Sequence, residues 1–406
     1  MHCAITYRFA AVRLLVFAVI WLCGSGSLLA QTFNTIHLFG GGGSPRGTLV
    51  EGTDGNLYGT TYGYGGRLNG MIFKITPSGT FTALHSGGGT FQAGLTLGTD
   101  GNFYGTSVAG GTYAHGYVFK ITPSGTLTVL YMFDAAADYL PSGLVQASDG
   151  NFYGTTIEGG TNGHGTVFRI TPSGTLTRIY NFCAQSNCAD GSGVFGLIQG
   201  TDGNLYGATG AGGTFGYGTI YKMTTTGTLT TLHSFNSTDG ADPTGVVQAG
   251  DGNFYGTTNA GGLSNSKCNS GCGTVFKMTP TGALTTLHLF NSTDGSQPAA
   301  IPIQASDGNL YGTTAAGGTP GSGTFFRITL TGTLTTLYNL NPNNGDGAYP
   351  AGLVQHTNGT FYGPTIRGGK IVYHFCPAWC GTLFSLFVPL LRQFETDDGV
   401  PTVVGG

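Results

Sequence analysis

Carboxylates followed by glycine are the most repeated chemically suggestive groups in this sequence, and they form two series. Asp-Gly-Asn begins at Asp54, Asp100, Asp149, Asp202, Asp251 and Asp307, with a worn copy at Asn358. Each copy brings one carboxylate into a tight turn, far short of the roughly six to eight oxygens that Ca2+ requires. The triplet therefore reads as turn chemistry, since Asp-Gly supplies the positive φ of a two-residue hairpin. The second series is Asp190, Asp239, Asp294 and Asp346, each followed by Gly. Facing a common axis, these four would make a partial acidic ring able to hold a cation or a polyhydroxylated ligand; otherwise they are local turns with solvated carboxylates. They are candidate ligand-binding residues. Glycoside hydrolysis needs two carboxylates in opposed environments on either side of one bond, and no pair here stands apart from its counterparts in other repeats.

Nitrogen and sulfur offer less. His115 and His164 sit in equivalent Gly-rich links of neighbouring repeats, which makes them candidate ligand-binding residues, but two imidazoles without a third ligand are a weak metal signal. A His or Tyr recurs at one position (His37, His85, Tyr131, Tyr180, His233, His288, Tyr338) and a base at another (Lys74, Lys120, Arg169, Lys222, Lys277, Arg327). The basic position, filled six times, is expected to be a structural pairing or a snorkelling side chain, and the His or Tyr rings, on outer strands that diverge around the perimeter, are not expected to converge on a metal. Three close cysteine pairs, Cys183 with Cys188, Cys268 with Cys272 and Cys376 with Cys380, are each expected to staple their own loop in an exported chain. No Ser-His-Asp arrangement, phosphate loop or cofactor motif stands out, so no catalytic residue, metal or cofactor is expected. Gly-x-Gly strings carry little information among 75 glycines.

The elements that must position these groups follow from one repeat. In the third copy, Gly143 to Ala147 is a short apolar strand, Asp149-Gly150-Asn151 turns it back, and Phe152 to Thr156 runs antiparallel to it. A Gly-rich link leads to a third strand, Thr166 to Thr171; Pro172-Ser173-Gly174 then turns the chain into a fourth, Thr175 to Phe182. Such units recur every 46 to 56 residues. Seven of them predict an all-β fold, a seven-bladed β-propeller of four-stranded antiparallel blades. Paired hairpins count against a parallel β-helix.

The ends of the chain carry the closure. Phe33 to Phe39 matches fourth strands such as Leu284 to Phe290, while the last repeat has a third strand at Gly381 to Phe387 and no fourth after it. The opening segment is therefore expected to complete the last blade, so that the ring has no unpaired edge. In this scheme the short, constant turns share one rim, and the longer, variable links share the other, which is the candidate binding face.

Residues 1–30 read as a secretory signal peptide: Arg8 and Arg13, an apolar run from Leu14 to Cys23, then small residues to Ala30. The propeller is assigned to 31–391, and 392–406 to a disordered or truncated tail. Only 8% of residues are charged and the net charge is −3, with no basic stripe, which excludes a nucleic-acid partner. No membrane span is expected once the leader is removed, and a monomer is expected.

The motifs Gly143 to Thr156 (Gly-Leu-Val-Gln-Ala-Ser-Asp-Gly-Asn-Phe-Tyr-Gly-Thr-Thr) and Gly273 to Gly282 (Gly-Thr-Val-Phe-Lys-Met-Thr-Pro-Thr-Gly) recur in register through nearly the whole chain. On them the sequence resembles the choice-of-anchor tandem-repeat family of GloVer type. That resemblance implies a secreted or surface-displayed bacterial repeat protein with a varied C-terminal anchor or trailing domain, and no known activity. Residues Phe384 to Thr396 look like the lead-in to such a trailing domain. The expected function is a non-catalytic binding module for a glycan, cell-wall polymer or protein. The competing readings are a propeller enzyme, a polysaccharide or small-molecule lyase or hydrolase at the channel mouth, and a structural envelope protein.

Overall fold

The Tyr-Gly-Thr-Thr core of each repeat builds the middle of a blade. A Cβ at Gly154 would lie 2.5 Å from the Phe168 ring, so glycine is what lets the third-strand aromatic lie flat against the second strand. Beside it, Thr156 and Thr166 hydroxyls meet at 2.9 Å, fully buried, and satisfy each other across the two strands. The same Thr pair recurs as Thr209 with Thr219, Thr258 with Thr274, Thr314 with Thr324 and Thr365 with Thr382.

The computed structural model describes residues 31–40, 43–63, 70–134, 138–368, 380–389, 392–395 and 401–404. The expected signal peptide lies outside the described residues. The third blade shows the common plan: Asp138–Gln146, Phe152–Gly159, Thr166–Ile170 and Leu176–Asn181, antiparallel in that order. Tight registers fix it, Gln146 facing Phe152, Phe152 facing Ile170, and Ile170 facing Leu176. Seven such sheets follow one another along the chain, and no α-helix occurs among the described residues. The fold is an all-β, seven-bladed propeller. Second and third strands are buried on both faces between neighbouring blades, which is why they run apolar without clean alternation.

Ring closure is visible in the last sheet. Thr32–Leu38 pairs with Thr382–Phe387, which pairs with Phe361–Arg367. The Phe39 N–H then donates to the Gly381 carbonyl at 3.1 Å. Phe39 does at this seam what other phenylalanines do between internal blades, each following a fourth strand and leaning on the third-strand ring of the next blade. Centroids are 5.4 Å apart for Phe39 and Phe73, 5.6 Å for Phe133 and Phe168, 5.2 Å for Phe182 and Tyr221, and 5.4 Å for Phe235 and Phe276. Beyond the propeller, Arg392–Glu395 and Pro401–Val404 pair with each other as a two-stranded antiparallel sheet.

Candidate functional site

One rim of the propeller is chemically saturated. Asp149 accepts the Asn151 backbone N–H at 3.0 Å through Oδ1, and through Oδ2 it accepts the Asn151 side-chain amide at 3.0 Å and the Tyr153 hydroxyl at 2.8 Å. The Tyr bond recurs at Asp54, Asp100, Asp202, Asp251 and Asp307. At the worn copy the direction reverses, and the Asn358 amide donates to the Tyr362 hydroxyl. Lys222 and Lys277 reach down from third strands to Asp202 at 2.7 Å and Asp251 at 3.0 Å. Burial alone would raise the Asp149 carboxyl, but the hydrogen bonds from Asn151 and Tyr153 outweigh it and hold it below the usual carboxylate range. Burial first, and Asp149 second, push the Tyr153 phenol up to about 12. These turns serve the scaffold, as their spacing suggested.

A second device on this side escaped sequence reasoning. The Gln146 carbonyl accepts the Thr99 N–H of the preceding blade at 2.8 Å, and Gln199, Gln248, Gln304 and Gln355 do the same for Ser148, Thr201, Gly250 and Ser306. At the seam Glu51 takes the role, accepting the Thr357 N–H at 2.9 Å and its hydroxyl at 2.6 Å, with His356 3.4 Å away. The available signal was a Gln or Glu three residues before each turn Asp or Asn; only Leu97 breaks it.

The other rim carries the variable links. Links from the fourth strands lean on links between second and third strands: Gly193, Asp242, Gln297 and Tyr349 donate their N–H groups to the carbonyls of His164, Tyr217, Cys272 and Ser322. The second Asp series lies here but not as solvated turns. Asp190 is fully buried and Asp346 nearly so. Each carboxylate is bound by the fourth-strand aromatic of its own link: Tyr180 to Asp190 at 2.9 Å, His233 to Asp239 at 2.9 Å, His288 to Asp294 at 2.8 Å and Tyr338 to Asp346 at 2.9 Å. Backbone N–H groups of Ala184, Asn236, Asn291 and Asn341 complete the brace. The link leaves amides that need an acceptor, and the aspartate supplies it. For Asp294, burial acts to raise the carboxyl, yet the His288 and backbone hydrogen bonds hold it low. Tied to outermost strands, the four are absent from the lining of the central cavity.

His164 is exposed and lies within 4.8 Å of both sulfurs of Cys183 and Cys188, which are joined as a disulfide and so offer no thiolate to a metal. His115 is half-buried in the equivalent link. Cys268 and Cys272 form the second expected staple. Cys380 is disulfide-bonded, while Cys376 lies outside the described residues.

Exposed rings stand on the tips of the second-to-third-strand links, Tyr113 at 57%, Phe215 at 58% and Tyr217 at 44%. At the centre, first strands enclose a cavity of about 610 Å³ whose lining includes Arg46, Leu49, Val246, Ile301 and Leu353 but no carboxylate or imidazole among its described residues.

The sequence model of the Gloeobacter/Verrucomicrobia repeat matches residues 27–144, 91–267 and 262–399. This chain belongs to that repeat family. No curated protein matches the sequence. Among solved structures, it is similar to the extracellular domain assigned to a hybrid two-component system of B. thetaiotaomicron, at 8% identity and a TM-score of 0.58, covering 90% of this chain and 40% of that one. The chain thus spans well under half the length of that domain. It is also similar to a protein of Bacteroides uniformis assigned as a 6-phosphogluconolactonase, at 14% identity and a TM-score of 0.52, covering 91% and 95% of the two chains. A puromycin hydrolase aligns at 12% identity and a TM-score of 0.54, over 89% of this chain and 58% of the other. At such identities the likeness concerns the fold.

In this Gloeobacter/Verrucomicrobia repeat protein the geometry divides labour. Constant turns, amide latches and carboxylate braces hold the blades. What they hold up is a rim of unlike loops with exposed rings, around a channel whose described lining is mostly apolar with Arg46, two threonines and three glutamines among it.

Proposed function

We propose that this repeat protein is an exported binding module that engages a glycan, free or within a cell-wall polymer, through its variable rim, without catalysing a reaction. The observation that carries this reading is the exposure of Tyr113, Phe215 and Tyr217 on links between second and third strands. Exposed rings on a rigid frame stack on the apolar faces of sugars at little entropic cost, and a polymer can meet rings carried by more than one blade. Export is supported by the leader-like N-terminus and by loop disulfides, which persist in oxidising compartments. The extracellular assignment of the similar Bacteroides domain agrees with it. Among its described residues the cavity lining holds Arg46 as its one ionisable side chain, which is the chemistry of binding an anion.

A glycan array and pull-downs with purified cell-wall polysaccharide test the reading directly. Wild type should bind at least one glycan class, and the Tyr113→Ala/Phe215→Ala/Tyr217→Ala variant should lose about tenfold or more in affinity. Absence of any glycan binding, or equal binding by the triple variant, would overturn it; capture of a protein instead would point to the alternative partner class.

A further inference from the structure

Seven near-equivalent blades provide their own control: a position where one copy differs in charge from its counterparts is doing something that the scaffold does not ask for. Ladder register makes Pro45, Pro141, Val194, Pro243 and Pro350 equivalent, each facing the second Thr of its Gly-Thr-Thr or the matching Thr. The next residues are Arg46, Ser142, Phe195, Thr244 and Ala351. Only the first blade sets a charge at this place.

Arg46 is also the only charged side chain among the described residues lining the central cavity. Its guanidinium carbon stands 4.1 Å from the centroid of the Tyr62 ring, which holds the group in place by a cation–π contact but takes up none of its N–H donors. Its Nε is buried without a hydrogen-bond partner, and no ion pair reaches it among the described residues. A partly buried guanidinium with an unsatisfied Nε beside a mostly apolar wall leaves donors free for an anion that enters the cavity. The guanidinium fork matches a carboxylate with two parallel hydrogen bonds. Among the described residues the rest of the wall is mostly apolar, with Leu49, Ile198, Val246, Ile301 and Leu353; the neutral polar side chains of Thr48, Gln92, Thr244, Gln304 and Gln355 join it, and it offers no aromatic platform. At about 610 Å³ the space falls within the ordinary range of small-molecule pockets.

We propose that the central channel is a second binding site, selective for a small organic acid with an aliphatic body, its single carboxylate held by Arg46. This site is independent of the rim. Isothermal titration with octanoate tests it, with octan-1-ol and sodium sulfate as controls. Octanoate should bind the wild-type chain in preference to both, Arg46→Gln should weaken it about tenfold or more, and Arg46→Lys should retain an intermediate affinity. Ala299→Trp fills the channel while leaving the Arg46–Tyr62 contact intact, and should block octanoate even if Arg46→Gln compromises folding. The rim triple variant should bind octanoate as wild type does, which separates failure of this site from failure of the glycan reading. No binding at about 10 mM octanoate, equal affinity for octan-1-ol, or unchanged binding in either Arg46→Gln or Ala299→Trp would overturn the proposal.

Discussion

Phe39→Ala puts the closure of the ring onto one side chain. Phe39 is 4% exposed and sits between the last and first blades, with centroids 4.8 Å from His37, 5.4 Å from Phe73 and 5.7 Å from Phe81. Truncating a buried phenylalanine costs about 3–5 kcal/mol, because the transfer loss is joined by a cavity that the surroundings only partly fill. An unfolding entropy of about 2.1 cal/mol/K per residue, over the roughly 350 residues of the propeller, gives about 0.7 kcal/mol/K. The melting temperature should therefore fall by about 4–7 °C. Phe235→Ala is the internal control, since Phe235 makes the same 5.4 Å contact, with Phe276, between two blades joined by continuous chain. Melting followed by circular dichroism should show matched losses. A shift under about 1 °C for Phe39→Ala beside a full loss for Phe235→Ala would refute the seam as a bonded blade boundary. Deleting residues 33–39 should go further, exposing the Thr382–Phe387 edge and unfolding or oligomerising the protein.

Other predictions draw on the repeated devices. Gly154→Ala should cost about 1–3 kcal/mol by overpacking against Phe168, measurable as a lower urea midpoint. Gly150→Ala meets no neighbour but must adopt φ +80°, so its loss should be smaller, about 1 kcal/mol; the reverse order would contradict the separate roles of the two glycines. Asp54, Asp100, Asp149, Asp202 and Asp251 all lie below the ordinary 3.8 in the folded chain. Their contribution to stability is fully present above that value and lost as pH falls through the folded values, so melting should be flat from neutral pH to about 5 and decline below 4. Tyr104, Tyr153 and Tyr338 are raised from 10.0 to about 12, so their contribution holds below pH 10 and fades as pH rises towards 12. Ultraviolet titration should find the tyrosinates of these Asp-paired phenols forming only as the fold is lost; their titration near 10 in the native state would contradict the Asp–Tyr pairing. Asp190→Ala strands the Tyr180 hydroxyl and the amides of Ala184 and Gln185, at a cost of about 1–3 kcal/mol, without changing glycan binding. Lost glycan binding at unchanged stability would return Asp190 to the ligand-binding candidates.

The strand order was legible because its signals are local: Asp-Gly-Asn and Pro-Ser-Gly turns constrain the backbone where they stand. Closure was legible for a different reason, since Phe33 to Phe39 matched fourth strands while the last repeat had none of its own. The Gln latches were not legible, because Gln146 and Thr99 lie 47 residues apart and nothing in either neighbourhood marks the other. The carboxylate braces were half-legible. Both members stood out as recurring series, but link length varies, so the separations are 10, 6, 6 and 8 residues and no fixed spacing joins them. A stronger clue lay in the exceptions: His37 and His85 are followed by links with no acid at all. The expectation of solvated Asp-Gly turns failed because a buried link needs an acceptor for its amides more than it needs a turn residue.

Repetition itself separates scaffold from function in this fold. A side chain that recurs around the ring must satisfy a condition that recurs around the ring, and for the turn aspartates, the latching glutamines and the paired threonines that condition is a hydrogen bond within or between blades. Such residues cannot define one ligand, because a ring of near-identical environments has no single focus. Recognition needs asymmetry, and the described residues concentrate it in two places: the unlike tips with Tyr113, Phe215 and Tyr217, and the channel wall where Arg46 stands against neutral counterparts. The two differ in chemistry, rings in water on one side and, among the described residues, a lone cation in a mostly apolar channel on the other. An unsatisfied Nε does not by itself mark Arg46, since Arg327 on a third strand has one too; what sets Arg46 apart is a charge in the cavity lining, held over Tyr62, at a place that is neutral in its counterparts.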